Sequence, residues 1–226
     1  MKKLLGIMVL GLLLSTNVYS ACDEEDFIKH VSSKIDCMGL VKVGKIDKSK
    51  KIIAVFLHGY NGGKDKGLPY AKNFNSLIND NVNMFHMGNP GYKMPGRDRS
   101  AGRSIKGPKK FKWVENQYKW DQIELIAQAL EKLKNYYKPE KLIVIRHSNS
   151  AYFAASMIRK IPGLIDKAIL IACPCDYTNW TEDMGWGLMT INTDPSFQME
   201  KIDPKTEIVL IVGKSDIKTK RYFWRT

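Results

Sequence analysis

Histidine and cysteine are scarce in this chain, at four each in 226 residues, and 23 acidic residues face 36 basic ones. So few metal-binding side chains, with no second Cys/His pair beside Cys173-Pro174-Cys175, give no support for a zinc site. No apolar run reaches the ~18 residues that a membrane-spanning helix needs, which argues against an integral membrane protein. No repeat with a period of about 20–50 residues occurs, so solenoids and arrays are excluded. No nucleic-acid-binding motif or aromatic-interleaved basic platform is visible, so the charge alone does not indicate a nucleic-acid partner. No cofactor is implied. What is present is ordinary globular material, 44% hydrophobic and 26% charged, with a formal net charge of +13. The length suits one α/β domain better than two.

The first twenty residues read as an export signal. Lys2 and Lys3 precede an apolar run from Leu4 to Leu14, and Val18-Tyr19-Ser20 offers small or β-branched residues before a cut. Cleavage after Ser20 removes two lysines and lowers the charge from +13 to +11. Cys22 lies close to the cut and raises lipid attachment as a rival. The residues before it lack the Leu-like side chain that lipoprotein processing favours, so periplasmic or secreted export is the expectation. Disulfides persist outside the cytoplasm, and four cysteines allow three full pairings. Cys22 and Cys37 flank a stretch that could form a short staple. Cys173 and Cys175 suit either a local disulfide or a buried thiol pair, the second being the blander reading.

Residues 21–226 read as a single domain in which strands and helices alternate. Lys51–Leu57 is a short apolar run ending at His58-Gly59, as expected of a strand buried on both faces. A helix with Tyr70, Phe74, Leu77 and Ile78 on one side follows, then a strand over Val82–Phe85 stopped by Gly88-Asn89-Pro90-Gly91. Ile123, Ile126, Leu130 and Leu133 recur at three- and four-residue steps, which predicts an amphipathic helix ended by Pro139. Leu142–Ile145, Ala168–Ala172 and Glu207–Val212 are further strands, and a helix starts near Ser150. The predicted fold is therefore α/β, a mainly parallel sheet flanked by helices, with ligands at the carboxyl ends of the strands.

Three of those strand ends carry chemistry. Ile145-Arg146-His147-Ser148-Asn149-Ser150 runs a strand directly into a helix, which holds a serine at a sharp turn. The usual signature is G-x-S-x-G; here Arg146 and Ser150 stand at the glycine positions, and Arg146 is the awkward one. A serine in such a place also serves commonly as a helix N-cap. His58-Gly59-Tyr60 follows the first strand of this series, and Val212-Gly213-Lys214-Ser215-Asp216 puts a carboxylate beyond the last.

In that order these motifs resemble the α/β-hydrolase superfamily over Lys50 to Asp216, and are most similar to its prolyl-oligopeptidase-like and serine-esterase members. The resemblance implies Ser148 as nucleophile, Asp216 as orienting acid, and the backbone N–H groups of Tyr60 and Asn149 as the oxyanion hole. The chemistry would be acyl transfer on an ester, thioester or amide, small-molecule or peptide-like. The family order then calls for a histidine, and Ile217 to Thr226 contain none. A shortened reading of a longer enzyme is favoured; a ligand-binding homologue without the general base is the alternative. Of the four histidines, His147 is expected to pack beneath the turn facing away from Ser148, and His58 to brace the oxyanion loop. His30 is expected at the surface. His86, at a strand end on the mouth side, is the one substitute base.

Between Lys93 and Lys112 lie eight Lys or Arg residues and one acid, Asp98. They form either a positive rim for an anionic substrate or surface, or a solvated loop. The segment around 176–205, with Trp180, Trp186, Met189 and Phe197, suits a small lid or a crossover packed on the core.

Overall fold

The computed structural model describes residues 38–59, 67–78, 81–92, 100, 120–185 and 202–216. Six strands form one sheet: β1 (Leu40–Val43), β2 (Ile52–Leu57), β3 (Val82–Met87), β4 (Lys141–His147), β5 (Lys167–Ile171) and β6 (Glu207–Ile211). Among the described residues four helices interleave with them: α1 (Gly67–Leu77), α2 (Trp120–Tyr137), α3 (Asn149–Lys160) and α4 (Tyr177–Asp183). The spatial order is β1-β3-β2-β4-β5-β6. All neighbours run parallel except β1, which pairs antiparallel with β3. A mainly parallel sheet with helices on both faces and this strand order is the α/β-hydrolase fold.

Side-chain alternation along the strands divides the interior in two. Ile53, Val55, Leu57, Phe85, Met87, Leu142, Val144, Ala168 and Leu170 point toward the side covered by α2, α3 and α4. Ala54, Phe56, Met84 and Ile145 point to the other side, where Ala71 of α1 meets them. Helix α2 buries Ile123, Ile126, Ala127, Leu130 and Leu133, the stripe that the sequence period predicts. Its end also matches: Lys138 takes the left-handed conformation (φ 47°), its N–H donates to the Lys134 carbonyl, and Pro139 follows. Helix α3 is buried over nearly its whole length. Ala151, Ala154 and Ala155 are fully covered, and their small side chains allow the helix to lie close to the sheet.

Strand β1 is absent from the sequence reading. It has four residues, with Lys42 interrupting the apolar pattern, and a parallel-sheet template does not anticipate an antiparallel edge strand. The signal segment, Cys22, Cys37, His30 and most of the basic loop after Lys93 lie outside the described residues. Of the segment expected as lid or crossover, α4 packs Tyr177 and Trp180 into the main core, and Trp186, Met189 and Phe197 lie outside the described residues. Among the described residues no helix is long and apolar enough to cross a membrane.

Candidate active site

Strand register places the site. His147, the last residue of β4, pairs with Ile171 of β5, and Ile171 pairs with Ile211 of β6, so three strands end at one level. The loops beyond them carry Ser148, Ala172 and Asp216.

Ser148 joins β4 to α3 in a conformation that L-residues rarely adopt, φ 55° and ψ −130°. The turn is held by backbone bonds: the Ser148 N–H donates to the Ile171 carbonyl (2.8 Å), and the Ala151 N–H donates to the Ser148 carbonyl (2.8 Å). Ser148 occupies the N-cap position, yet its side chain makes no capping hydrogen bond to the helix. The residue is half-buried. Its hydroxyl is thus not used for the structural task that serines at helix starts ordinarily perform. Asn149 opens the helix, where the first N–H groups have no intrahelical acceptor.

Both neighbours flagged by their size have a structural explanation. Ser150 is fully buried, and its hydroxyl lies 2.9 Å from the Leu57 carbonyl and 3.0 Å from that of His147, tying the end of β2 to the turn. Arg146 is fully buried as well. Alternation sends its side chain to the α3 side of the sheet, where Nη1 donates to the Ser150 carbonyl (3.1 Å) and the guanidinium lies 6.0 Å from the Phe153 ring centroid. Its Nε and Nη2 have no partner among the described residues. Burial pulls its pKa down to about 9.

The loop after β2 presses directly on this turn. A Cβ on Gly59 would lie 2.9 Å from Ser148 Cβ and 3.1 Å from both Nδ1 and the carbonyl oxygen of His147, so only glycine fits without displacement. Tyr60, expected as an oxyanion donor, lies outside the described residues. His58 braces this loop as anticipated. Its Nδ1–H donates to the Gly59 carbonyl (2.6 Å), its own carbonyl accepts from Asn89 Nδ2 (2.8 Å), and its ring meets Tyr92 edge-on at 5.3 Å. Asn89 belongs to the expected turn, which the Tyr92 N–H to Asn89 carbonyl bond closes (3.1 Å).

Two histidines depart from expectation. His86 is buried (1% exposed), not presented at the mouth. Its Nδ1–H faces the Phe56 carbonyl at 3.3 Å, and its Nε2 would lie 2.8 Å from a Cβ on Gly67, so the ring is seated under the start of α1. Burial first, then the nearby His58, lowers its pKa to about 4. His147 was expected beneath the turn; it is exposed, with Nδ1 on the side of Gly59 and Ser148. Partial desolvation lowers its pKa, and the charge of Asp216 acts in the opposite direction. Asp216 itself is half-buried in a turn closed by its N–H on the Gly213 carbonyl (2.9 Å).

Cys173 and Cys175 are both buried and joined by a disulfide, with Cα atoms 5.1 Å apart. This corrects the preference for a reduced pair: a two-residue separation across Pro174 leaves the Cα atoms within bonding range.

No protein-family profile and no curated sequence matches the chain. Solved structures similar to it include the Bacillus cereus carboxylesterase, with 16% identity, a TM-score of 0.49, and coverage of 85% of this chain and 90% of that one. An alpha-beta serine hydrolase homologue from Coxiella burnetii has 15% identity and a TM-score of 0.44, with coverage of 78% of this chain and 81% of that one. Cfl2 from Burkholderia cenocepacia has 17% identity and a TM-score of 0.39, with coverage of 60% of this chain; the chain spans only 37% of Cfl2's length.

Proposed function

We propose that this chain is an exported serine hydrolase that cleaves an ester, thioester or amide through an acyl-enzyme on Ser148. The observation that carries the reading is the backbone of Ser148: a non-glycine residue at φ 55° between a strand and a helix, with no capping bond from its side chain. Strain of this kind costs about 1–3 kcal/mol and persists where the surroundings enforce it. Asp216, beyond β6, is the orienting acid. The backbone N–H groups of Tyr60 and Asn149 receive the charge that develops on the carbonyl oxygen; a single such donor typically contributes about 2.7–4 kcal/mol to the transition state. The charged start and apolar run before Ser20 support export, and the basic stretch from Lys93 to Lys112 supports attraction of anionic substrates or surfaces.

A fluorophosphonate probe tests this directly. The folded exported chain should be labelled at Ser148, and Ser148→Ala should not be labelled. A folded sample that resists the probe overturns the assignment and leaves the ligand-binding homologue as the better reading.

A further inference from the structure

We propose that His147, the residue immediately before the nucleophile, is the general base of this site, with Asp216 as its electrostatic partner. The inference rests on the serine-hydrolase reading above and adds the residue that moves the proton. Of the three histidines described, His58 and His86 are buried and direct Nδ1–H at backbone carbonyls. His147 is exposed at the carboxyl end of β4. Its Nδ1 and the Cβ of Ser148 both crowd the same point above the Gly59 Cα, at 3.1 Å and 2.9 Å. The imidazole therefore lies on the nucleophile's side of the turn.

Among the described residues, the groups that face His147 come from three elements. From the loop after β2 its neighbour is Gly59, and from β5 it is Ile171. On its own strand Arg146 points to the opposite face of the sheet, toward Phe153. From the loop after β6 comes Asp216, whose carboxylate acts on the ring. A carboxylate there stabilises the imidazolium form that a base acquires during attack. This role requires Nδ1 to be unprotonated in the resting state, with the proton on Nε2.

The step balances within these groups. The Ser148 Oγ–H bond breaks and its proton passes to His147 Nδ1, while Oγ bonds to the substrate carbonyl carbon. The carbonyl π pair moves onto oxygen, which faces the main-chain donors. Collapse of this intermediate expels the leaving group, which takes the proton back from Nδ1–H. Water then attacks the acyl carbon and gives a proton to Nδ1; collapse expels Ser148 Oγ, which takes that proton back from Nδ1–H, and the acid is released.

The test is the pH dependence of fluorophosphonate labelling and of p-nitrophenyl acetate hydrolysis in the full chain, for wild type, His147→Gln, Asp216→Asn and Ser148→Ala. In wild type both rates should rise with pH along one ionisation. His147→Gln should lose that ionisation and fall by about 10²–10⁴ at the plateau, the usual contribution of a general base. Asp216→Asn should move the ionisation to lower pH, because removing a negative charge disfavours the imidazolium. A structural role for either residue would not move it. If His147→Gln keeps wild-type rates and profile while Ser148→Ala is inert, the base assignment fails and the hydrolase reading stands. If folded wild type neither labels nor turns over, both fail. If His147→Gln proves unfolded by circular dichroism, Asp216→Asn decides: a displaced ionisation supports the proposal and an unmoved one overturns it.

Discussion

At the scale of single residues, the cost of the site is concentrated in Ser148. Its φ of 55° and ψ of −130° suit glycine far better than a residue with a Cβ. Ser148→Gly should therefore stabilise the fold by about 1 kcal/mol while abolishing labelling. Urea midpoints of wild type and variant check this; a variant that is less stable would show that the turn is not strained. Gly59 is the complementary case. It has no side chain because Ser148 and His147 occupy the space where one would be. Arg146 shows why a consensus position need not hold the consensus residue. Strand alternation carries its side chain out of the turn and into the packing under α3, so the requirement for a small residue is met by direction.

At the scale of elements, Asp166 holds the sheet ends together opposite the site. Its carboxylate accepts from the Leu142 N–H (2.7 Å) and from Lys134 Nζ of α2 (3.2 Å). Its backbone N–H donates to the Leu142 carbonyl (3.0 Å), and its carbonyl accepts from the Glu207 N–H (3.0 Å). One residue thus joins β4, β6 and α2 just before β5 begins. The bond to Leu142 N–H is charge-assisted, and its loss leaves a partly buried donor unmatched. Asp166→Ala should cost about 1–3 kcal/mol by chemical denaturation. A loss below a few tenths would mean that solvent replaces these bonds freely. The surface pairs of Glu207 with Lys167 and Lys141 are a different matter, since exposed ion pairs contribute little.

At the scale of the whole molecule, the buried imidazoles couple folding to pH. His86 titrates near 4 in the folded chain against an ordinary value of 6.5, and His58 is shifted the same way by burial. Both are held neutral in the fold. As pH falls below about 6.5 the unfolded chain takes up protons that the native state refuses, so stability is full above that value. It declines as pH falls toward 4 and levels off below. For His86 alone the loss is of order 3 kcal/mol. Unfolding at pH 7.5 and pH 4.5 should show this loss in wild type and a smaller one in His86→Gln. Equal losses would remove His86 as the cause.

Local pattern, by itself, determined five of the six strands, the stripe on α2, its end at Pro139 and the serine turn. Periods of two and 3.6, together with Gly and Pro punctuation, are properties of neighbouring residues and survive in a one-dimensional reading. Tertiary structure alone decided which way side chains point and what they meet. β1 exists because β3 offers it an edge. The Ser148 hydroxyl makes no capping bond because Ile171 and Ala151 hold the backbone in another conformation. His86 is buried because the start of α1 at Gly67 lies over it, whereas His147 is exposed at the end of β4. These outcomes depend on contacts between residues far apart in the chain, which no local pattern encodes.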